Sequence, residues 1–308
     1  MSVNTPEGEH MTKSTERHVP VLFNEVMDFL SVRPGSTIVD CTVGLAGHAE
    51  GIARRLGGKG HLIGFDRDTE ALALAKERLD RVSSELGSEA PRVTLVDEAF
   101  SSITRHVQPA TVDGLLADFG ASSLQFDEAH RGFSFQADGP LDCRMDQRSG
   151  PTAAQVLSEI SERELADLIF HLGEERRSRR IARALAGRQI TSTIELARLV
   201  SNAAPAMKGD RIHAATRTFQ ALRIYVNQEL DEIRALFEAA PGLLKSSARI
   251  VVISFHSLED RIAKDSLRDG AKQGIWQILT KKPVIAGEEE IERNPRSRSA
   301  KLRAAEKK

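Results

Sequence analysis

Two cysteines, Cys41 and Cys143, are too few for a disulfide framework or a four-thiolate zinc site. Such scarcity suits a reducing compartment, and the cytoplasm is the expected location. None of the nine histidines has His-x-x-x-His or Cys-x-x-Cys company, so no metal centre is expected. Long apolar runs are also missing. The strongly apolar Ile250-Val251-Val252-Ile253 falls far short of the roughly 20 residues that span a bilayer, so no membrane segment is expected. Charge of one sign is not in excess. Lys and Arg number 43 against 44 Asp and Glu, a net charge of −1, which excludes a uniformly basic chain that coats nucleic acid. Nucleic-acid contact must then come from local patches. The first 17 residues are polar, lack the apolar core of a secretory signal and read as a disordered arm, with Met11 available as a later start. What is present is 308 residues with 40% apolar content, enough for one large or two ordinary domains without covalent staples.

From Ser36 to Asp118, short β-branched runs that end in an acidic residue alternate with helical periodicity, which predicts a parallel sheet. The runs are Thr37–Asp40, His61–Asp66, Arg92–Val96 and Val112–Asp118, and a helix is expected from Thr69 to Val82. After about residue 136 the β pattern stops. Amphipathic stretches over 155–204 predict a small helical insert. A helix from about Thr218 to Glu238, ended by Pro241-Gly242, leads into a further strand at Arg249–Ser254. The predicted organisation is a sheet domain from 18–135 and 215–308, with a helical insert at 136–214.

The first strand runs into Asp40-Cys41-Thr42-Val43-Gly44-Leu45-Ala46-Gly47-His48, where small residues let the backbone approach a ligand at a helix N-terminus. About twenty residues later the second strand ends at Asp66, whose carboxylate can accept from both ribose hydroxyls. This pairing points to a nucleoside site, although the glycines alone fit a simple turn and Asp66 a helix cap. The Gly-x-Gly-x-x-Gly of a dinucleotide cradle is not supplied, so phosphate-free S-adenosylmethionine fits better than a nicotinamide cofactor. Phe100 is placed to stack on an adenine or to fill core. Asp118, with Gly120, Ser122 and Ser123, follows the fourth strand, where open α/β sheets place their chemistry; capping by Asp118 or Ser122 is the structural alternative.

These residues resemble the bacterial ribosomal RNA small-subunit methyltransferase H family along nearly the full chain. The resemblance runs through His18–Leu22, Asp40–His48, Gly64–Asp68, Asp118–Asp127, Arg131–Phe135, Gly139–Asp146, Gly173–Arg176, Thr218–Ile224, Phe255–Arg261 and Asn294–Arg303. It implies a Rossmann-like class I S-adenosylmethionine-dependent methyltransferase with an inserted helical domain that helps recognise substrate. It implies methylation of a cytidine N4 in the decoding region of small-subunit rRNA, on the assembled or assembling subunit, and leaves homodimerisation open. By resemblance, the cofactor contacts fall on Ala46, Gly47, His48, Asp66, Phe100, Asp118 and Gln125, and Asp118 is the catalytic candidate. Ala46 stands where the family often has Gly, which implies a negative φ there.

Substrate-side candidates are Ser122, Ser123, Phe135, His256, Ser257, Arg296 and Arg298. His256-Ser257 follows a strand end near the cleft mouth, and Ser257 is alternatively a helix cap ahead of Glu259-Asp260. Gly132–Phe135 offers either a stacking ring or core packing. The Glu174–Arg180 cluster has acidic residues at helical spacing and reads as a solvated, salt-bridged face. The pattern around Arg296, Arg298 and Arg303 offers no such compensation, so a phosphate role competes with a last sheet strand. A nicotinamide dehydrogenase and a catalytically silent RNA-binding assembly factor remain the alternatives.

Overall fold

The computed structural model describes residues 20–206 and 212–308. The expected disordered arm at 1–17, with His18 and Val19 of the first motif, lies outside the described residues. Two compact units divide the chain, one of residues up to 120 together with 232–308, the other of 121–231. The second unit therefore takes in residues 121–135 and 215–231, which the expected boundaries leave with the sheet.

In chain order the elements are α1 (Phe23–Leu30), β1 (Thr37–Asp40), α2 (Gly47–Leu56), β2 (His61–Asp66), α3 (Thr69–Leu86), β3 (Arg92–Asp97), α4 (Ile103–His106) and β4 (Val112–Asp118). There follow α5 (Ser123–Asp127), α6 (Ala153–Glu159), α7 (Glu162–Gly173), α8 (Ser178–Leu185), α9 (Thr193–Ala203), α10 (Ala214–Asn227) and α11 (Glu229–Leu243). The chain closes with β5 (Leu244–Ser254), α12 (Ser257–Lys272), β6 (Trp276–Ile278), α13 (Glu288–Arg293) and β7 (Lys301–Lys307).

The seven strands form one sheet in the order β3-β2-β1-β4-β5-β7-β6. Strands β1 to β5 are parallel, and β7 runs antiparallel to both β5 and β6. The basic end of the chain is thus an internal strand of the sheet. The first four strands are apolar runs that each end in aspartate, at 40, 66, 97 and 118, so four carboxyl groups reach the same end of the sheet. The strand order reverses at β1, and open α/β sheets leave their binding crevice beyond the carboxyl ends of such strands. Ile38, Leu62, Leu116, Val251, Ile253 and Leu302 fill the core with Ile52 and Leu56 of α2. No helix among the described residues is long and apolar enough to cross a membrane.

The second unit has its own core, with Leu157, Leu165, Ile169, Ile181, Leu185, Leu196 and Leu222 all fully buried. Several of its helices begin on side-chain caps. Thr152 and Ser161 each close a reciprocal capping box, with Gln155 and Glu164 respectively.

Three sequence expectations are corrected. The helix expected over 218–238 is two, α10 and α11, broken at Gln228, whose φ of 52° is left-handed. Pro241-Gly242 lies inside α11 rather than ending it. The carbonyls of Gly242 and Leu243 are taken by the Ala110 and Thr111 N–H groups, which carries the last turn past the proline. The Glu174–Arg180 cluster is not wholly a solvated face. Glu175 is 2% exposed and pairs with Arg177 at 3.0 Å, and Arg177 also donates to the Pro205 carbonyl.

Gly64 of β2 bears directly on the crevice. A Cβ there would lie 2.3 Å from Val43 Cγ2 and 3.0 Å from Leu95 Cδ2. The missing side chain lets the buried Val43, in the loop after β1, lie over β2. Gly64→Ala is expected to lower stability by about 1–3 kcal/mol through overpacking, seen as a lower urea midpoint at unchanged slope; a wild-type midpoint would show that the loop yields freely.

Candidate active site

The loop after β1 is a chain of tight turns made possible by small residues. Gly44 has φ 49° and Ala46 φ 60°, so the negative φ expected for Ala46 is corrected. An alanine in the left-handed region costs on the order of 1 kcal/mol. The turn is held by the Ala46 N–H, which donates to the Val43 carbonyl at 2.7 Å, and by complete burial of the methyl group. Gly47 then opens α2, whose N-terminus has no side-chain cap. Its first N–H groups are left for another acceptor.

Asp66 ties this loop to β2. Its Oδ2 accepts from the Gly44 N–H at 2.8 Å and its Oδ1 from the Asp68 N–H at 2.9 Å. Each oxygen is left with a further lone pair. Burial is the largest influence on its pKa, which is raised to about 6 against those two N–H groups. The helix cap is the neighbour Asp68, which accepts from Glu70 and Ala71, so Asp66 is released from the capping alternative.

Asp118 ends β4, its N–H donating to Thr42 Oγ1 at 2.7 Å. Its side chain is 24% exposed, yet Oδ1 is buried with no hydrogen-bond partner among the described residues. The Oδ2 atom of Asp40, at the end of β1, is in the same condition. Burial first, then the charges of Asp40 and Glu259, push the Asp118 pKa well above the carboxylate range. Burial similarly raises Asp40 to about 7, with Asp66 adding to it and the Thr42 N–H opposing. His48 lies beside this group. Its Nε2 lies 2.9 Å from the Val21 carbonyl, which can only accept, so that nitrogen carries a proton; Nδ1 lies 3.8 Å from Asp118 Oδ2. The first unit thus brings together Ala46, Gly47, His48, Asp66 and Asp118. Thr42, Asp40 and Glu259 belong with them and were not among the sequence candidates. The signal for Asp40 was its place at a strand end beside the switch point.

Other candidates have structural partners. Phe100 is half-buried and tilts against Phe119, with ring centres 6.3 Å apart. His256, not Ser257, caps α12. It accepts from the Glu259 N–H, and the fully buried Glu259 carboxylate accepts from the Phe255 and His256 N–H groups. Ser257 is the first residue of the helix. Arg296 and Arg298 are exposed on a short 3-10 turn, whereas Arg303 is 9% exposed at its side chain and paired with Asp260 at 2.7 Å, a structural role inside β7. Within the second unit, Ser122 caps α5 ahead of Ser123, and Gln125 returns the bond by accepting from the Ser122 N–H. Phe135 packs on Phe219 at 5.3 Å, at the edge of the helical core.

Comparison with known proteins finds that residues 15–308 match the MraW methylase family. A protein of Acidobacterium capsulatum named ribosomal RNA small subunit methyltransferase H is 65% identical over 294 residues, covering 95% of this chain and 99% of its own. A protein of the same name from Koribacter versatilis is 54% identical over 308 residues, covering 99% and 98%. Among solved structures, a SAM-dependent methyltransferase from Aquifex aeolicus aligns over 99% of this chain and 98% of its own at 10% identity, with a TM-score of 0.43.

The raised carboxyl groups set a pH dependence. Both Asp40 (about 7) and Asp66 (about 6) bind protons more tightly folded than at their ordinary 3.8, so folding takes up protons across this interval. Their contribution to stability is complete below about pH 4 and is lost as pH rises through 6 to 7. For Asp40 alone the loss is up to about 4 kcal/mol. Asp40→Asn, a neutral isostere, is expected to flatten the fall in urea midpoint of the unliganded protein between pH 5 and 8. An unaltered pH profile would mean that Asp40 is ionised in the fold at no cost.

Proposed function

This chain belongs to the MraW methylase family, and from that premise we propose that it methylates the N4 amine of a cytidine in the decoding region of small-subunit rRNA. The enzyme is an S-adenosylmethionine-dependent rRNA methyltransferase, acting in the cytoplasm on the assembled or assembling subunit. The observation that carries the finer reading is the Asp118 carboxyl group. It stands at the crevice end of a central strand, partly open to solvent, with one buried oxygen that lacks a donor among the described residues. An amine is the kind of group that supplies one.

The residues fit the methyl donor. S-adenosylmethionine supplies an electrophilic methyl group on a positively charged sulfur, together with a ribose, an adenine and an amino-acid portion. Asp66 retains acceptor capacity for ribose hydroxyls, the glycine and alanine loop admits close backbone approach, and Phe100 presents a half-buried ring. Asp40 and Glu259 lie close enough to raise the cost of ionising Asp118, an environment that favours a cation.

The nucleophile sets the demand on Asp118. The cytosine N4 lone pair is delocalised into the ring. A carboxylate that accepts from an N–H draws the amine toward tetrahedral geometry and stabilises the positive charge that develops as the N–C bond forms and the C–S bond breaks. The Asp118 carboxylate then accepts the proton the nitrogen sheds. His48 lies near Oδ2 of that carboxyl group, at 3.8 Å. The target cytidine must leave any stack to reach this position.

Two measurements test the reading. Asp66→Ala is expected to weaken S-adenosylmethionine binding about tenfold or more, since hydrogen bonds to a charged acceptor contribute roughly 1.5–3 kcal/mol; calorimetry on the folded variant checks it, and an unchanged Kd removes Asp66 from the site. Asp118→Asn is expected to slow single-turnover transfer to small-subunit rRNA at least about tenfold at saturating donor, or roughly 1.4 kcal/mol of transition-state stabilisation. Nucleoside mass spectrometry of the wild-type product identifies the methylated atom. Methylation at ring carbon or at a 2′-hydroxyl would overturn the N4 reading whatever the variant does.

A further inference from the structure

From Arg176 to Ile194 the chain contains six arginines, at 176, 177, 179, 180, 183 and 188, and no acidic residue. Within a chain of net charge −1 this is a concentrated basic stretch, and the structure folds its central part into α8. The apolar side of α8 is spent on the core of its own unit, with Ser178, Ile181, Ala182 and Leu185 all buried. Every arginine of the helix is therefore left on the opposite side. Arg179, Arg180 and Arg183 are exposed there, and exposed Arg176 precedes them in the turn that starts the helix.

Among the described residues, two of the six have carboxylate partners. Arg177 is taken by the buried Glu175, and Arg183 lies 3.6 Å from Glu162. Arg176, Arg179, Arg180 and Arg188 have none within ion-pair distance among the described residues. Arg179 and Arg183 are like charges at i, i+4 of the helix, an arrangement that weakens a helix rather than supporting it. Beyond the exposed Arg183–Glu162 pair, the stripe adds little to the stability of the unit among the described residues. It does have the chemistry of a phosphate reader, because guanidinium groups present planar forks that match phosphate oxygens and keep their charge at every accessible pH. A membrane-surface helix would need its apolar face outward, and here that face is inside.

We propose that the exposed arginine face of α8, with Arg176 and Arg188 flanking it, binds successive phosphates of the RNA substrate's backbone. The proposal rests on the reading of the chain as an rRNA methyltransferase and gives the helical unit a specific task within it. Phosphate contacts position RNA without reading its sequence, so this face supplies affinity and orientation and leaves base choice elsewhere.

The test is the triple variant Arg176→Ala, Arg179→Ala, Arg180→Ala of the full chain, against a small-subunit rRNA fragment. The slope of log affinity against log salt is expected to become shallower by roughly 2, at about 0.7–0.9 for each phosphate no longer neutralised, with affinity at least about tenfold lower near physiological salt. S-adenosylmethionine affinity should be unchanged and thermal stability equal or higher, since alanine is the stronger helix former and the repulsion is gone. The matching lysine triple should retain most of the slope. A wild-type slope in a folded alanine variant overturns the proposal while leaving the rRNA reading intact; so does loss of slope with a lowered melting temperature that the lysine triple fails to rescue. Salt-independent binding by the wild type overturns the proposal, and absence of binding both to the fragment and to the small subunit itself overturns the rRNA reading with it.

Discussion

A carboxylate taken out of water must find donors, a cation or a proton, and the carboxyl end of this sheet holds several. Asp40, Asp66 and Asp118 arrive there because their strands are parallel and each ends in the acid, and Glu259 is brought beside Asp118 by the start of α12. The surrounding fold can be understood as partial relief of that concentration. Thr42 donates its N–H to Asp40 and uses its hydroxyl to hold the Asp118 backbone, while Gly44 and Asp68 supply N–H groups to Asp66. The relief stops short at Asp40 and Asp118, each with one buried oxygen unserved among the described residues. A site left electrostatically hungry in this way has its affinity for positive charge built in before any ligand arrives.

The loop that carries the relief depends on size as much as on polarity. Gly44 and Ala46 occupy left-handed conformations, and Val43 occupies the space that a side chain on Gly64 would take. A larger residue at any of these places would displace the N–H groups that face Asp66 and the opening of α2. In the helical unit the electrical demand is reversed, with arginine on α8 lacking anions. The net charge of −1 averages two opposite requirements, one for a cation at the sheet and one for anions on the helices.

Much of the sheet was legible because its chemistry is local. Thr37–Asp40, His61–Asp66 and Val112–Asp118 are apolar runs closed by an acid, and their bounds agree with the strands. The start of β5 was not, since Lys245-Ser246-Ser247 carries no apolar signal and lies between the pairing of Leu244 with Val112 and its resumption at Arg249. Gln228 was missed because its left-handed turn interrupts a helical pattern without glycine or proline. Of the site, Asp66 and Asp118 were readable from strand ends and spacing. The roles of Ala46, Arg303 and His256 were not, because each is decided by partners distant in the chain or by backbone geometry: the burial around Ala46, Asp260 opposite Arg303, and the carboxylate of Glu259 turned back on its own helix start. Glu175 likewise looks solvated in the sequence because the carbonyl that anchors its partner Arg177 belongs to Pro205, far along the chain.

Strand β7 follows every other element in the chain, yet it lies between β5 and β6 and pairs with both. During synthesis, β5 therefore emerges with one edge open and keeps it open while residues 255–300 are added. Exposed strand edges invite pairing with other chains, and nascent domains that await a distal segment are exposed to aggregation and proteolysis. The sheet can close only once Lys301–Lys307 has been made and paired, so a chain shortened before Lys301 would lose an interior strand, not a dispensable tail.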